Sequence, residues 1–288
     1  MEVVPIPPND QRKPVDRIRT RTFFILNDRL DEDILRNALD RLIRQHWRKL
    51  GARVVSRPDG SLEYHIADTF EEEYVLFIWS SKEYDHSIDT LPSFPKATPA
   101  EKGATLLPSL SSIEKYLRPE DWPLERKDEP PNAPLLYIHL SSFTDSTVIG
   151  VSLPHVASDQ FGLANIMKAW LGVAKGEAPP PLVGYDKDIL ANGKAYKDYP
   201  KKEVVRKGRM RVRRRFEYPF VIMGFIPELI IHSKEIAHTL FLPLPLVASL
   251  RERCAKELMD KYSKDPGITN GDIITGLALK VISSSLVT

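Results

Sequence analysis

The sequence predicts an α/β protein whose first domain is layered, with helices laid against a sheet. Three observations point there. Two apolar runs, Leu135 to Phe143 and Thr147 to Leu153, are joined by a tight turn at Thr144–Ser146 and feed straight into a helix-periodic stretch that opens at Asp159. Upstream, apolar residues from Ile34 to Leu50 recur at helical spacing and lead into a hairpin pattern. With 288 residues, 42% of them hydrophobic, the chain can bury a sizeable core without covalent staples.

Each element has its own warrant. Residues 1–17 read as an extended, proline-rich entry, and Thr20 to Leu26 as a strand. Asp31 opens a helix whose stripe is Ile34, Leu35, Ala38, Leu39, Leu42, Ile43, Trp47 and Leu50, closed by Gly51. Arg53–Val55 and Leu62–Ile66 form a hairpin about the Asp59-Gly60 turn signal. Residues 90–112 read as a Pro/Ser/Thr-rich loop. Thr147, Val148, Ile149, Val151 and Leu153 suit a strand packed on both faces, which Pro154 ends because it cannot donate to a ladder. Phe161, Ala164, Met167, Leu171 and Ala174, widened by Ile166 and Trp170, form the apolar face of the next helix. Residues 182–240 read as irregular. A strand at Thr239–Leu242, a helix from Pro245 to Tyr262 and a capping turn at Thr269–Asp272 into a helix over Ile273–Ser283 complete the chain.

Composition removes several classes of function. Lys+Arg 41 against Asp+Glu 39 gives no global attraction to nucleic acid or anionic membranes. The single cysteine, Cys254, excludes an internal disulfide framework and sits in a helical pattern that buries it as a small apolar side chain. No signal peptide is legible at the N-terminus. The most apolar window, Phe216 to Ile231, is interrupted by Pro219 and Pro227 and is too short to span a bilayer. The expectation is a cytoplasmic protein without a membrane or nucleic-acid partner. The basic run from Lys201 through Arg206, Lys207, Arg209 and Arg211 to Arg213-Arg214-Arg215 is the one local charge anomaly. A solvated linker face accounts for it most simply; contact with phosphates is the functional alternative.

The chemistry concentrates at His155-Val-Ala-Ser-Asp159. An imidazole just past a buried strand, on a rigid junction with a helix, can face a cleft while the core holds its backbone, which suits a general base. A structural histidine at a strand end is the simpler reading of the same placement. Asp159 stands at the helix start, where a carboxylate accepts from backbone N–H groups, and is read as a cap that shapes the turn. Gly162 marks a place for close backbone approach. One His and one Asp do not make a metal site. There is no Gly-x-Ser-x-Gly elbow for a serine hydrolase, and no glycine-rich phosphate loop.

The segment PLLYIHLSSFTDSTVIGVSLPHVASDQFG, with HWRKLGARVV at 46–55, HSKEIAHTLFLPLPLVASLRERC at 232–254 and ITNGDIITGLALK at 268–280, resembles the BAHD-type CoA-dependent acyltransferases, in particular their fungal secondary-metabolism branch. The resemblance implies a chloramphenicol acetyltransferase-like two-layer α/β sandwich of two similar domains around a solvent channel. It implies a metal-free monomer with no permanently bound cofactor, which takes acyl-CoA, by expectation acetyl-CoA, as cosubstrate. It maps the family's base onto His155 and its structural aspartate onto Asp159, with a small-molecule hydroxyl as acceptor; residues that bind CoA are not assigned. Two departures stand out. Gln160 follows the aspartate where the family has glycine, the glycine coming at Gly162, and the family's Asp-Phe-Gly-Trp-Gly signature does not occur. The expected organisation is therefore a complete acyltransferase domain over 1–181, a crossover linker over 182–238 and the start of a truncated second domain over 239–288. The alternative is a catalytically inactive relative acting as a binding or interaction protein, or a chain whose missing half comes from another polypeptide.

Overall fold

The computed structural model of the chain describes residues 1–8, 10–92, 94, 103–184, 215–231, 238–263 and 267–285. In chain order the elements are β1 (Glu2–Pro5), β2 (Arg19–Leu26), α1 (Glu32–Arg41), β3 (Arg53–Ser56), β4 (Leu62–Ile66), β5 (Phe77–Glu83), β6 (Thr105–Ser109), the single turn α2 (Glu114–Leu117), β7 (Leu136–Ser142), β8 (Thr147–Pro154), α3 (Gln160–Ala174), α4 (Tyr218–Ile231), β9 (His238–Phe241), α5 (Leu244–Tyr262) and α6 (Asn270–Ser285). They divide into two compact units, one of residues 1–90 with 114–234, the other of residues 91–113 with 235–288.

In the first unit, the apolar β-branched run of β8 is buried along its whole length. It lies inside a four-stranded sheet of order β2-β8-β7-β5. β8 runs antiparallel to β2, in register from Leu26↔Thr147 to Arg19↔Pro154, and antiparallel to β7; β5 is parallel to β7. A central strand covered on both faces shows no alternation, and the two polar side chains of β8, Thr147 and Ser152, are buried with hydrogen-bond partners. α1 and α3 supply Leu35, Ala38, Leu39, Leu163, Ile166, Met167, Trp170 and Val173 to the core, and the Trp170 indole donates to the Leu35 carbonyl at 2.8 Å. At Gly150 the sheet meets α2 so closely that a Cβ would lie 1.7 Å from the Leu117 carbonyl oxygen. A smaller sheet of order β1-β4-β3 stands beside this core.

Arg19 fastens the end of β2. Its buried guanidinium pairs with Glu129, donates to Ser152 Oγ at 3.0 Å and to the Leu135 carbonyl at 2.9 Å, and lies 4.3 Å over the Tyr137 ring. Burial holds the Arg19 pKa below and the Glu129 pKa above the ordinary values even though each faces the other. Desolvation therefore outweighs their attraction, and the pair serves geometry more than net stability.

Most predicted elements are present, with informative differences. The helix expected from Asp31 to Leu50 stops as an α-helix at Arg41, passes through a π-helical turn at Leu42–His46 and ends in a 3₁₀ turn at Arg48–Gly51. The winding change lets Leu42, Ile43, Trp47 and Leu50 all stay buried, while Ile34 is 54% exposed. In α3, Phe161 is 83% exposed and Ala164 is also exposed. The buried stripe is Leu163, Ile166, Met167, Ala169, Trp170 and Val173, displaced from the predicted face because packing in the core, including against α1, decides which side is covered. The expected loop over 90–112 contains β6, whose antiparallel partner β9 lies far along the sequence. Within 182–240, read as irregular, Tyr218–Ile231 is helical; Pro219 falls in the first turn, where a missing N–H costs nothing, and Pro227 is accommodated inside. The basic run up to Arg214 lies outside the described residues.

The second unit pairs β6 with β9 and packs α5 with α6. Pro245 sits in the first turn of α5. Thr269 and Asp272 form a reciprocal cap for α6, Asp272 accepting from the Thr269 N–H at 2.8 Å and Thr269 Oγ1 from the Asp272 N–H at 3.3 Å. Cys254 is half-buried on α5. Among the described residues, no helix is long and apolar enough to cross a membrane.

Candidate active site

Pro154 ends β8, and the next three residues form a closed turn, the Ala157 N–H donating to the Pro154 carbonyl at 2.9 Å. His155 occupies this turn. Its backbone N–H donates to the Ile18 carbonyl at 2.8 Å, just before the buried anchor Arg19. The carbonyl of the following residue, Val156, accepts from the Tyr64 hydroxyl at 2.6 Å. Tyr64 is 1% exposed, and burial pushes its phenol well above the ordinary tyrosine range, so it remains a proton donor. The backbone on both sides of His155 is thus held by hydrogen bonds to two distant segments, Ile18 just before β2 and Tyr64 on β4.

The ring is held by nothing comparable. Nδ1 of His155 is buried without a hydrogen-bond partner among the described residues, and the residue as a whole is half-buried. A neutral imidazole needs one donor and one acceptor nitrogen. Among the described residues neither nitrogen has a hydrogen-bond partner, and the residue keeps part of its surface exposed. A histidine serving only to satisfy a strand end would spend a ring nitrogen on the backbone. His155 instead offers a fixed Cα and an uncommitted ring.

Asp159 plays the part its position predicts. It is the N-cap of α3, its Oδ1 accepting from the Gly162 N–H at 2.8 Å. No hydrogen bond joins it to His155 among the described residues. Gly162 is required by space: a Cβ there would lie 2.0 Å from Ser158 Oγ, which itself donates to the Asp159 carbonyl at 3.0 Å. Gln160, at the position of the departure from the family motif, brings its side-chain amide to 3.0 Å from Thr22 Oγ1 on β2, tying the helix start back to the sheet.

Sequence reading missed Tyr64, Ile18 and Thr22 as supports of this turn. Nothing local marks them; Tyr64 reads as an ordinary apolar position in an alternating strand. Among the described residues, no group of three or more His, Cys, Asp or Glu is placed so that it could hold a metal ion. A cavity of about 550 Å³ is lined by Val156, Ala157 and Ser158 together with Trp47, Tyr64 and Ile166, but not by His155. It neighbours the turn without containing the ring.

No protein-family model matches the chain. It is 29% identical over 98% of its length to the protein named acetyltransferase pyiB of Pyricularia grisea, and 28% identical over 90% of its length to acetyltransferase adrJ of Penicillium roqueforti. A third relative, 33% identical over 66% of this chain and 41% of its own length, is named transcriptional regulator sdnM, from Sordaria araneosa. The chain spans about half the length of the curated relatives it matches, 58% of pyiB and 53% of adrJ. Among solved structures it is similar to F. sporotrichioides TRI101 complexed with coenzyme A and T-2, at 15% identity and a TM-score of 0.48 over 69% of this chain and 46% of that one. It is also similar to vinorine synthase, at 19% identity and a TM-score of 0.44 over 65% and 41%.

Proposed function

We propose that this chain carries the base-bearing half of an acyl-CoA-dependent O-acyltransferase of the BAHD type, with His155 as general base and acetyl-CoA as donor. The observation that carries the reading is the uncommitted imidazole of His155 on a backbone hydrogen-bonded to Ile18 and, through Val156, to Tyr64 of β4. Similarity to fungal proteins named as acetyltransferases, over nearly the whole chain, supports it. On this reading residues 1–181 form the base-bearing domain of a chloramphenicol acetyltransferase-like fold, 182–238 cross over, and 239–288 open a second domain.

The chemistry needs few groups. The imidazole takes the proton from an acceptor hydroxyl as that oxygen attacks the thioester carbonyl. The tetrahedral adduct collapses with cleavage of the C–S bond, and the imidazolium returns the proton to the departing thiolate. Protons balance across the cycle, and no acyl-enzyme forms. Asp159 and Gly162 act by fixing the turn and α3, and touch no reacting atom. The acceptor is a small-molecule hydroxyl, a specialised metabolite by analogy with the relatives, and the site of action is the cytoplasm.

The test is acetyl-CoA-dependent product formation, read as free thiol release and as acetylated product from a pool of hydroxylated fungal metabolites. His155→Ala is expected to lower the rate by about 10² or more, the usual contribution of a positioned general base. A His155→Ala variant as active as the parent chain would remove the base assignment. A second reading, a non-catalytic binding or interaction protein, is favoured by the relative named as a transcriptional regulator. It predicts no turnover from the parent chain under conditions where a full-length relative is active.

A further inference from the structure

The cavity beside the His155 turn takes no part in the chemistry above, and its walls are mainly apolar. Trp47, Leu50, Tyr64, Leu135, Ile166 and Ala169 line it, each less than a tenth exposed. The polar atoms these side chains bring are already in use. The Trp47 indole donates to the Pro180 carbonyl at 2.8 Å, and the Tyr64 hydroxyl to the Val156 carbonyl at 2.6 Å. A further wall is the segment from Ala178 to Gly184. Its three successive prolines, Pro179 to Pro181, have no N–H to offer, and its Gly184 carbonyl accepts from Lys49 at 3.1 Å. Water entering such a space finds few partners, whereas an apolar solute loses none.

Size and charge define the occupant. About 550 Å³ lies within the roughly 300–1,000 Å³ of small-molecule pockets. The charged residues of the lining are two cations, Lys49 and Lys168, and two carboxylates, Asp10 and Glu177. They leave no net charge, so neither an anion nor a cation gains from their field. The start of α3, where an anion could otherwise settle, already holds the Asp159 carboxylate as its cap.

We propose that this cavity is a second binding site, which takes a neutral and mainly apolar small molecule. The site touches the turn through Val156, Ala157 and Ser158, so its occupant packs against the segment that carries the candidate base. Binding itself does not depend on what His155 does.

The chain, labelled at its alanine and isoleucine methyl groups, is titrated by NMR with N-phenylnaphthylamine, a neutral apolar probe, and with its sulfonated analogue. The neutral probe is expected to bind one-to-one with a Kd below about 200 μM, shifting the methyl signals of Ala157, Ile166, Ala169 and Ala178 together. The sulfonated probe is expected to bind about fivefold more weakly or worse. Gly172→Phe is expected to abolish the shifts and to keep the parent's thermal melt. A Cβ at this lining position first meets the flexible Glu177 carboxylate, at 3.2 Å. Asn165→Trp, at an exposed position of the rim, is expected to do the same. Shifts confined to the isoleucines of α4, or binding that both folded variants leave unchanged, overturn the proposal. So does an absence of binding, since another part of the chain would then fill the space. Equal affinity for the two probes overturns the neutral class.

Discussion

At the scale of single residues, the turn after β8 is governed by space and by hydrogen bonds to backbone. Gly162 is the clearest case, because its missing side chain makes room for Ser158 Oγ at 2.0 Å from the would-be Cβ. Gly162→Ala gains helix propensity, yet must turn the Ser158 hydroxyl away from the Asp159 carbonyl. It is expected to lose about 1 kcal/mol net, and Ser158→Ala in the same chain is expected to restore most of it. Urea unfolding of the two single variants and the double variant reads the coupling; additive losses would show that the two side chains do not share the space. The roles of Asp159 and Gly162 are legible from residue type and position, since an acceptor at a helix start and a glycine two residues into it have few other uses. Tyr64 is not legible in this way. Its hydroxyl meets Val156 across 92 positions of sequence, and no local pattern encodes that approach.

At the scale of elements, the closeness of α2 to the main sheet makes the sharpest prediction. A methyl group on Gly150 would stand 1.7 Å from the Leu117 carbonyl oxygen and 2.9 Å from its carbon, both main-chain atoms that cannot rotate aside. Gly150→Ala is expected to destabilise the first unit by about 3 kcal/mol or more, the upper range for overpacking, with α2 displaced from β7 and β8. Thermal unfolding measures the loss, and a shift of under about 0.5 kcal/mol would mean that α2 does not lie where it is described. Strands and helices with a strong period are readable in the sequence, as β8, α3 and the hairpin β3–β4 demonstrate. The elements that escape are those whose partner decides them. β6 lies in a Pro/Ser/Thr-rich stretch and is a strand because β9 completes its ladder. The π-helical turn at Leu42–His46 follows from keeping Ile43 and Trp47 together in the core, a demand of packing and not of propensity.

At the scale of the whole molecule, a buried polar group on which pH acts is His139 on β7. It is 5% exposed, its Nδ1 lies 2.8 Å from Ser80 Oγ, and burial, with Lys82 adding to it, holds its pKa below the ordinary histidine value. The folded state therefore binds fewer protons at this site than the unfolded chain below about pH 6.5. Stability is expected to fall as pH drops through the acid window that opens below about 6.5, by at most about 1.4 kcal/mol per pH unit for one proton. His139→Gln is expected to flatten that slope, and urea midpoints above and within the window test it. Asp59, Asp145 and Asp272, with pKa values lowered by their hydrogen bonds, act only in more acid solution, where their carboxylates protonate. Across the molecule, the sequence by itself determined the α/β class, the buried strand that ends at Pro154, the candidate base beyond it and the cap of the following helix. Each of these is written in neighbouring residues through period, proline and capping chemistry. Tertiary structure alone decided which face of α3 is buried, that Thr105–Ser109 pairs with His238–Phe241, and that Tyr64 and Ile18 hold the backbone around His155. Those facts depend on contacts between distant segments, and a one-dimensional pattern carries no record of which surfaces will meet.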